Sequence, residues 1–139
     1  MTNQKNNKAI HILLWIAQGL LALMFIMAGL TKATQPIEAL ADSLPWVTST
    51  STGLVRFIGI SELLGGLGLL LPSIFRFKPF LTVWAALGLA VVMVLAVIFH
   101  ASRGEFSAII VNIIILAFAV FIAWGRTKKA PIKTKVTVK

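Results

Sequence analysis

One carboxylate lies inside an otherwise apolar stretch of the chain. Glu62 stands in the run 54–71, where the other charged side chain is Arg56. A charge inside a membrane span is costly, so such a residue usually faces a bundle interior, pairs with another group and marks a functional position. Two roles fit Glu62: a structural hydrogen-bond clamp, or a proton carrier or ligand contact.

Further polar side chains follow at the ends of the other apolar runs. Lys32 follows the first run, His100 ends the third, and Arg103 and Glu105 stand in the turn after it. Asn112 lies about two turns into the fourth run. We expect these groups to line one polar pocket near the outer leaflet that can bind a cofactor. Its candidate residues are Lys32, Glu62, His100 and Asn112, with Gln18, Arg103 and Glu105 nearby.

Several kinds of site are excluded by residue types. The chain has no cysteine, which excludes disulfides, thiolate-held iron–sulfur clusters and cysteine nucleophiles. It has no HExxH pattern, no paired carboxylates and one candidate histidine near the polar cluster, so no metal site is expected. Any redox chemistry therefore needs a bound cofactor or another subunit.

The polar residues must be positioned by apolar helices. Of 139 residues, 58% are hydrophobic and 12% are charged, which is typical of a membrane protein. Crossing ~30 Å of hydrocarbon takes roughly 20 apolar residues, and four such stretches occur, at about 9–30, 54–71, 80–99 and 106–124. Their residues do not alternate as barrel strands do. The sequence therefore predicts an all-α integral membrane four-helix bundle over 9–125.

The basic residues predict the orientation. Residues 1–8, the turn 73–79 and the basic tail 126–139 hold ten lysines and arginines, whereas the opposite side holds two. Basic loops stay in the cytoplasm, so both termini are expected there, with 33–53 as the outer loop. The first span resembles a signal peptide but is long for one, and we expect it to be retained. The net charge of +9 lies beside apolar runs, so we expect no nucleic-acid partner.

The sequence also predicts the behaviour of the outer loop, of two further polar residues and of the tail. In the outer loop, 37–42 can form one or two helical turns after Pro36 and lie on the membrane as a lid. Arg56, near the outer end of its span, is expected to extend to the membrane surface, and His11 needs no role beyond hydration at the opposite face. The tail is expected to be disordered.

Two seams of small residues predict how the first two spans pack. Gly59, Gly65 and Gly66 fall within about 60° of Glu62 at 100° per residue, which permits the close approach of another helix. A matching seam on the first helix consists of Gln18, Ala22, Phe25, Gly29 and Lys32. If these seams meet in an antiparallel pair, Lys32 can reach Glu62, and we state that pairing as a hypothesis.

These residues resemble the DoxX-like family of four-helix membrane proteins. The segment Phe25-Ile-Met-Ala-Gly29-Leu-Thr-Lys32 resembles the family's Phe-x-x-x-Gly-x-x-Lys ending of helix one. Glu62, followed by Gly65-Gly66 and a leucine run, is similar to helix two of the family. His100 closing helix three and Asn112 in helix four match as well. The likeness therefore covers all four spans.

The sequence departs from the family pattern at two positions. Gln18 stands where many members carry arginine, and Val111 stands where a basic residue often precedes the helix-four asparagine. The resemblance implies a multi-pass protein of the bacterial inner membrane. For some relatives it implies a role beside thiosulfate–quinone or thiol-stress oxidoreductases, and for many others no known activity.

Three functions fit these observations. The first is an accessory subunit of a quinone-linked membrane oxidoreductase, in which His100, Lys32 and Glu62 supply a donor and a proton to a quinone headgroup while a partner supplies electrons. The second is a non-enzymatic scaffold or assembly factor. The third is a small proton-linked transporter, which four helices without a repeat would achieve only as an oligomer. The substrate, the partner, a homo-oligomeric state and catalytic activity itself stay open.

Overall fold

Four long apolar helices make up most of the chain. A computed structural model describes the backbone of residues 2–136 and the side chains of residues 4–136, so Lys139 of the tail lies outside the described residues. The long helices are α1 (Thr2–Thr34), α3 (Thr52–Phe75), α4 (Phe80–Ser102) and α5 (Phe106–Trp124), with the short helix α2 at Ile37–Ala41. Each long helix is long and apolar enough to cross a membrane. This confirms the predicted all-α four-helix class.

The helices extend beyond the apolar runs because the backbone hydrogen bonds continue where the flanking residues are polar. Ser51 begins α3, and its hydroxyl accepts the backbone N–H of Leu54 at 3.3 Å. Arg76 ends α3 in the left-handed conformation. Between α1 and α3, α2 is followed by a 3-10 helix at Pro45–Ser49, which bears out the expected short helix after Pro36.

The four helices pack in the ring order α1, α3, α4, α5. The most extensive contact joins α1 to α3, and α4 packs against both α3 and α5. Phe25, Leu69, Leu89 and Ile122 are buried between them. We name the end of the bundle that carries α2 and the 3-10 helix the lid end, and the end at which α1 begins and α5 ends the tail end. Residues 36–50 are called the lid.

Glycines set the closest approaches in the bundle. A Cβ on Gly59 would stand 2.7 Å from the backbone nitrogen of Ala33, and one on Gly29 would stand 2.7 Å from the carbonyl oxygen of Gly59. Gly66 likewise faces α1. These contacts confirm that α1 and α3 pack through the two seams. Gly65 does not join them, because a Cβ there would meet Leu89 of α4.

The helical periodicity explains this difference. Gly59 and Gly66 lie about 60° and 40° from Glu62 in one rotational sense, whereas Gly65 lies about 60° away in the other. All three glycines lie within about 60° of Glu62, but they lie on two sides of it and so do not form the single stripe that was expected. The structure divides them between the two neighbours of α3.

The tail follows the surface of the bundle where it is described. A π-helical turn at Gly125–Lys129 continues α5. The next residues return to the α3–α4 turn, where the backbone N–H of Lys135 donates to the carbonyl of Arg76 at 3.0 Å, and Arg76 Nε donates to the carbonyl of Lys133 at 3.0 Å. The expectation of a disordered tail is therefore wrong for residues 130–136.

Candidate functional site

A cavity of about 800 Å³ lies at the lid end of the bundle. It is bounded by α3, α4, α5 and the lid, and Lys32 reaches it from the end of α1. We name it the lid-end cavity. Its polar lining includes Lys32, Glu62, His100, Glu105 and Asn112, and its apolar lining includes Trp46, Phe57, Ile58, Met93, Leu95, Phe99 and Val111.

Lys32 and Glu62 form an ion pair at one side of the lid-end cavity. Lys32 Nζ donates to Glu62 Oε2 at 2.6 Å, and the two side chains are 12% and 6% exposed. The pair forms because Gly29 and Gly59 let α1 and α3 approach closely one turn away from these residues. It confirms the hypothesis that Lys32 reaches Glu62. A buried pair of this kind offers a charged hydrogen-bond donor whose charge is compensated.

Arg56 holds the same corner of the bundle. Its NH1 donates to the carbonyl oxygen of Lys32 at 2.6 Å. Carbonyl groups in the last turn of a helix have no partner within the helix and attract cations. The guanidinium thus fixes the end of α1 from which Lys32 projects, and the expectation that Arg56 extends to the membrane surface stays a prediction.

His100 and Glu105 form a second polar pair in the cavity. The His100 Nδ1 lies 2.5 Å from Glu105 Oε2. Arg103 Nε donates to the other carboxylate oxygen at 2.9 Å. The hydrogen bond with His100, followed by that from Arg103, lowers the pKa of Glu105 below its ordinary value. An ionised carboxylate can only accept, so Nδ1 carries the hydrogen and Nε2 of a neutral ring is an acceptor.

The lid closes the cavity at its polar end. The rings of Trp46 and Phe99 meet edge to face with centroids 5.8 Å apart. Arg103 NH1 donates to Ser49 Oγ at 2.8 Å, which joins the turn after α4 to the lid. Arg103 thus lies beside the cavity and acts on the lid and on Glu105.

Asn112 supplies an amide that no described residue uses. It lines the cavity from α5, is partly buried, and makes no side-chain hydrogen bond to the residues that the structure describes. An amide offers both a donor and an acceptor. The structure therefore brings together Lys32, Glu62, His100 and Asn112, with Glu105 and Arg103 adjacent.

Gln18 does not belong to the lid-end cavity. It is fully buried near the tail end, where Nε2 donates to the carbonyl of Leu69 at 2.7 Å and Oε1 accepts from Arg126 Nε. The expectation that Gln18 stands near the pocket is wrong because it lies fourteen residues before Lys32 on α1. Fourteen residues of helix span about 21 Å.

Arg126 is the centre of a second polar cluster, which the sequence reasoning missed. It is 4% exposed, lies 5.1 Å over the Trp15 ring, and donates from NH1 to the carbonyl of Ala130 at 3.1 Å. Its NH2 is buried and has no hydrogen-bond partner among the described residues. The sequence does hold a signal, since Arg126 continues the buried positions Ala119, Ile122 and Ala123 at helical spacing.

His11 joins this cluster, which corrects the expectation that it is merely hydrated. Its Nδ1 lies 3.1 Å from Arg126 NH1, and its Nε2 lies 3.1 Å from Trp15 Nε1. Both neighbours are donors, and a neutral imidazole can accept at only one nitrogen. His11 therefore accepts one conventional hydrogen bond at a time.

The comparisons with known proteins bear on the lid-end cavity. A family model described as the DoxX-like family matches residues 16–122. The match includes Lys32, Glu62, His100 and Asn112 and excludes His11 and Arg126. No curated protein and no solved structure matches the chain. Within the described residues, no group of three histidine, cysteine or acidic side chains is placed to hold a metal ion.

Proposed function

The chain belongs to the DoxX-like family of membrane proteins, and from this premise we propose that it is an accessory subunit of a quinone-linked membrane oxidoreductase. The lid-end cavity would hold the quinone headgroup. The observation that carries the proposal is the convergence of an ion pair, a histidine–carboxylate pair and an unused amide on one largely apolar cavity of about 800 Å³.

The residues of the cavity fit the chemistry of a quinone. Quinone carbonyls accept hydrogen bonds, and Lys32 and Asn112 can donate them from the α1 and α5 sides of the cavity. Phe99, Met93 and Ile58 supply the apolar and aromatic walls that a planar ring requires. A bound quinone would supply the electron-accepting chemistry.

The two carboxylates, Glu62 and Glu105, position the groups of the cavity that can hold and exchange protons. Glu62 holds the ammonium of Lys32 along the cavity wall through a contact of 2.6 Å. The carboxylate of Glu105 orients the His100 ring through its hydrogen bond with Nδ1, and an imidazole can take up a proton at Nε2. His100 can therefore carry a proton between the lid and the cavity.

An accessory role follows from what the chain itself can hold. It has no cysteine, and its described residues contain no metal-binding group. Electrons would then come from a partner protein. We propose that this partner is bound in or at the bacterial inner membrane, with both termini of the present chain in the cytoplasm, because the tail end carries most of the basic residues.

The experiment is quinone analysis of protein extracted into lipid nanodiscs. Wild type, Glu62→Gln and Glu38→Gln are compared, because Glu38 is an exposed acid outside the cavity and undergoes the same chemical change. We expect quinone in wild type and in Glu38→Gln, and about tenfold less in Glu62→Gln. The substitution removes the charged acceptor that holds Lys32 in place, and the loss of one charged hydrogen bond corresponds to about this factor. Unchanged circular dichroism would show that each variant is folded.

Other outcomes would favour the other two functions. A stable membrane partner without bound quinone in any sample would favour a scaffold or assembly factor. Proton flux into liposomes that Glu62→Gln abolishes and Glu38→Gln preserves would favour a proton-linked transporter.

A further inference from the structure

The interface between α3 and α4, which we call the α3–α4 seam, is closed in the middle of the bundle. A Cβ on Gly65 would stand 2.5 Å from a Leu89 methyl carbon, and one on Gly68 would stand 2.8 Å from the Ala85 Cβ. These contacts fix the antiparallel register of the two helices. Towards the lid end, residue numbers fall along α3 and rise along α4. The opposing residues can therefore be read from this register.

The same seam is open towards the lid end. By this register, Ser61 opposes Val92 and Ile58 opposes Ala96, yet all four residues line the lid-end cavity. The cavity therefore extends along this part of the seam and is lined there by residues of both helices. Ser61 Oγ is satisfied within α3, since it donates to the carbonyl of Phe57 at 2.8 Å. It needs no polar partner across the opening.

The opening reaches the lipid-facing surface. At 100° per residue, Phe57 lies about 80° beyond Gly65, on the side of α3 away from α1. Leu95 lies about 120° from Leu89 on α4. Phe57 is 65% exposed and Leu95 is 61% exposed, and both line the cavity. The cavity is therefore continuous with the outer surface of two membrane-spanning helices.

The route into the cavity from the lid end of the bundle is covered by the lid. Leu44, Pro45 and Trp46 of the lid line the cavity, and Trp46 rests on Phe99. Arg103 ties the lid to the turn after α4 through Ser49. A ligand dissolved in the membrane meets an opening, whereas a ligand dissolved in water meets the lid.

We propose that the α3–α4 seam is the lateral opening through which a membrane-dissolved ligand reaches the cavity, and that the ligand's long hydrocarbon tail lies in this seam between Phe57 and Leu95. The ligand class is then a lipid with a compact hydrogen-bonding headgroup and an isoprenoid or acyl tail. This inference rests on the proposed function for the identity of the headgroup, but the opening itself does not depend on it.

The first test asks whether hydrocarbon chains enter the seam. Because the chain has no cysteine, single cysteines can carry a fluorophore at Ser61 in the seam, at lipid-facing Leu64 and at exposed Ser102, the last residue of α4. In liposomes of lipids brominated on the acyl chain, we expect the fluorophore at Ser61 to be quenched nearly as strongly as at Leu64. Quenching at Ser61 as weak as at Ser102 would overturn the proposal.

The second test separates the seam from the headgroup site. Leu95→Trp narrows the opening, and Val91→Trp is the matched control, because Val91 lies one turn away on the lipid-facing side of α4 and does not line the cavity. We expect Leu95→Trp to slow binding of a long-tailed quinone from liposomes about tenfold, while Val91→Trp binds at the wild-type rate. Equal rates in all three proteins would refute the lateral opening.

A tail-less quinone with the same headgroup completes the second test. Leu95→Trp should slow its binding much less than that of the long-tailed quinone, since the substitution fills the place proposed for the tail. If wild type bound neither quinone, the proposed function would fail, whereas the quenching at Ser61 would still decide whether the seam is open.

Discussion

Removing either partner of the buried Lys32–Glu62 ion pair tests how much the pair contributes to the free energy of unfolding. Nζ and Oε2 are 2.6 Å apart, with side chains 12% and 6% exposed. At an effective dielectric constant of about 20, the gross attraction at this distance is roughly 6 kcal/mol. Desolvation of both ions offsets part of that attraction. We therefore expect Lys32→Met and Glu62→Leu each to lower the free energy of unfolding by about 3–5 kcal/mol.

The double variant gives the coupling directly. With both charges removed, neither remains buried and unpaired, so Lys32→Met/Glu62→Leu should be much more stable than the sum of the single losses implies. We expect a coupling energy of about 2–4 kcal/mol. The assay is reversible unfolding in mixed detergent micelles containing increasing dodecyl sulfate, followed by circular dichroism. Lys128→Met, at an exposed lysine of the tail, serves as the control.

The size of the coupling decides the interpretation. Ordinary interhelical hydrogen bonds in membrane proteins contribute about 0.6 kcal/mol on average. A coupling no larger than this would refute the argument that the pair is a strong buried contact that fixes α1 against α3.

Three further predictions concern packing, the tail and pH. Gly59→Ala should lower the free energy of unfolding by about 1–3 kcal/mol, because its Cβ would collide with the backbone of α1, while Gly19→Ala, where a Cβ meets nothing within 4 Å, should not destabilise the same unfolding transition. Arg126→Gln removes the donor to the carbonyl of Ala130, so limited trypsin digestion should cleave the tail faster than in wild type; equal rates would contradict the role of that contact. The pKa of Glu105 is lowered, first by its hydrogen bond with His100. The ionised carboxylate therefore contributes its full stabilisation above the ordinary carboxyl pKa of 4.5, and this stabilisation is lost as pH falls through the lower pKa of the folded protein. Lid tryptophan fluorescence should therefore change on acidification below pH 4.5, and Glu105→Gln should remove that change; an identical acid transition in the variant would contradict it.

The helices and the main ion pair were predictable because both follow from periodicity. Apolar runs of about 20 residues require spanning helices. Gly29 and Lys32 lie on one face of α1, and Gly59 and Glu62 on one face of α3, so packing the glycines brings the charges together. The position of Gly65 was not predictable from angular distance alone, since a helix in a bundle has a neighbour on each side of its buried face.

The lid and the tail-end cluster were harder to predict. A loop has no repeat from which its path can be derived, so the sequence does not indicate that Trp46 rests on Phe99. Arg126 was counted as a solvated tail residue because it follows the last apolar run. The π-helical turn instead continues the buried face of α5, and that turn is stabilised by contacts with α1, more than a hundred residues away in sequence.

The most direct test of the account is to locate bound quinone by photolabelling. A photoreactive quinone is irradiated with the protein in nanodiscs, and the labelled peptides are identified by mass spectrometry. The account predicts labelling of the lid, of α3 between Leu54 and Glu62 and of α4 between Val92 and His100, with loss of label in Glu62→Gln and retention in Glu38→Gln. Labelling concentrated at the tail end around Gln18 and Arg126, or labelling indifferent to Glu62→Gln, would contradict it.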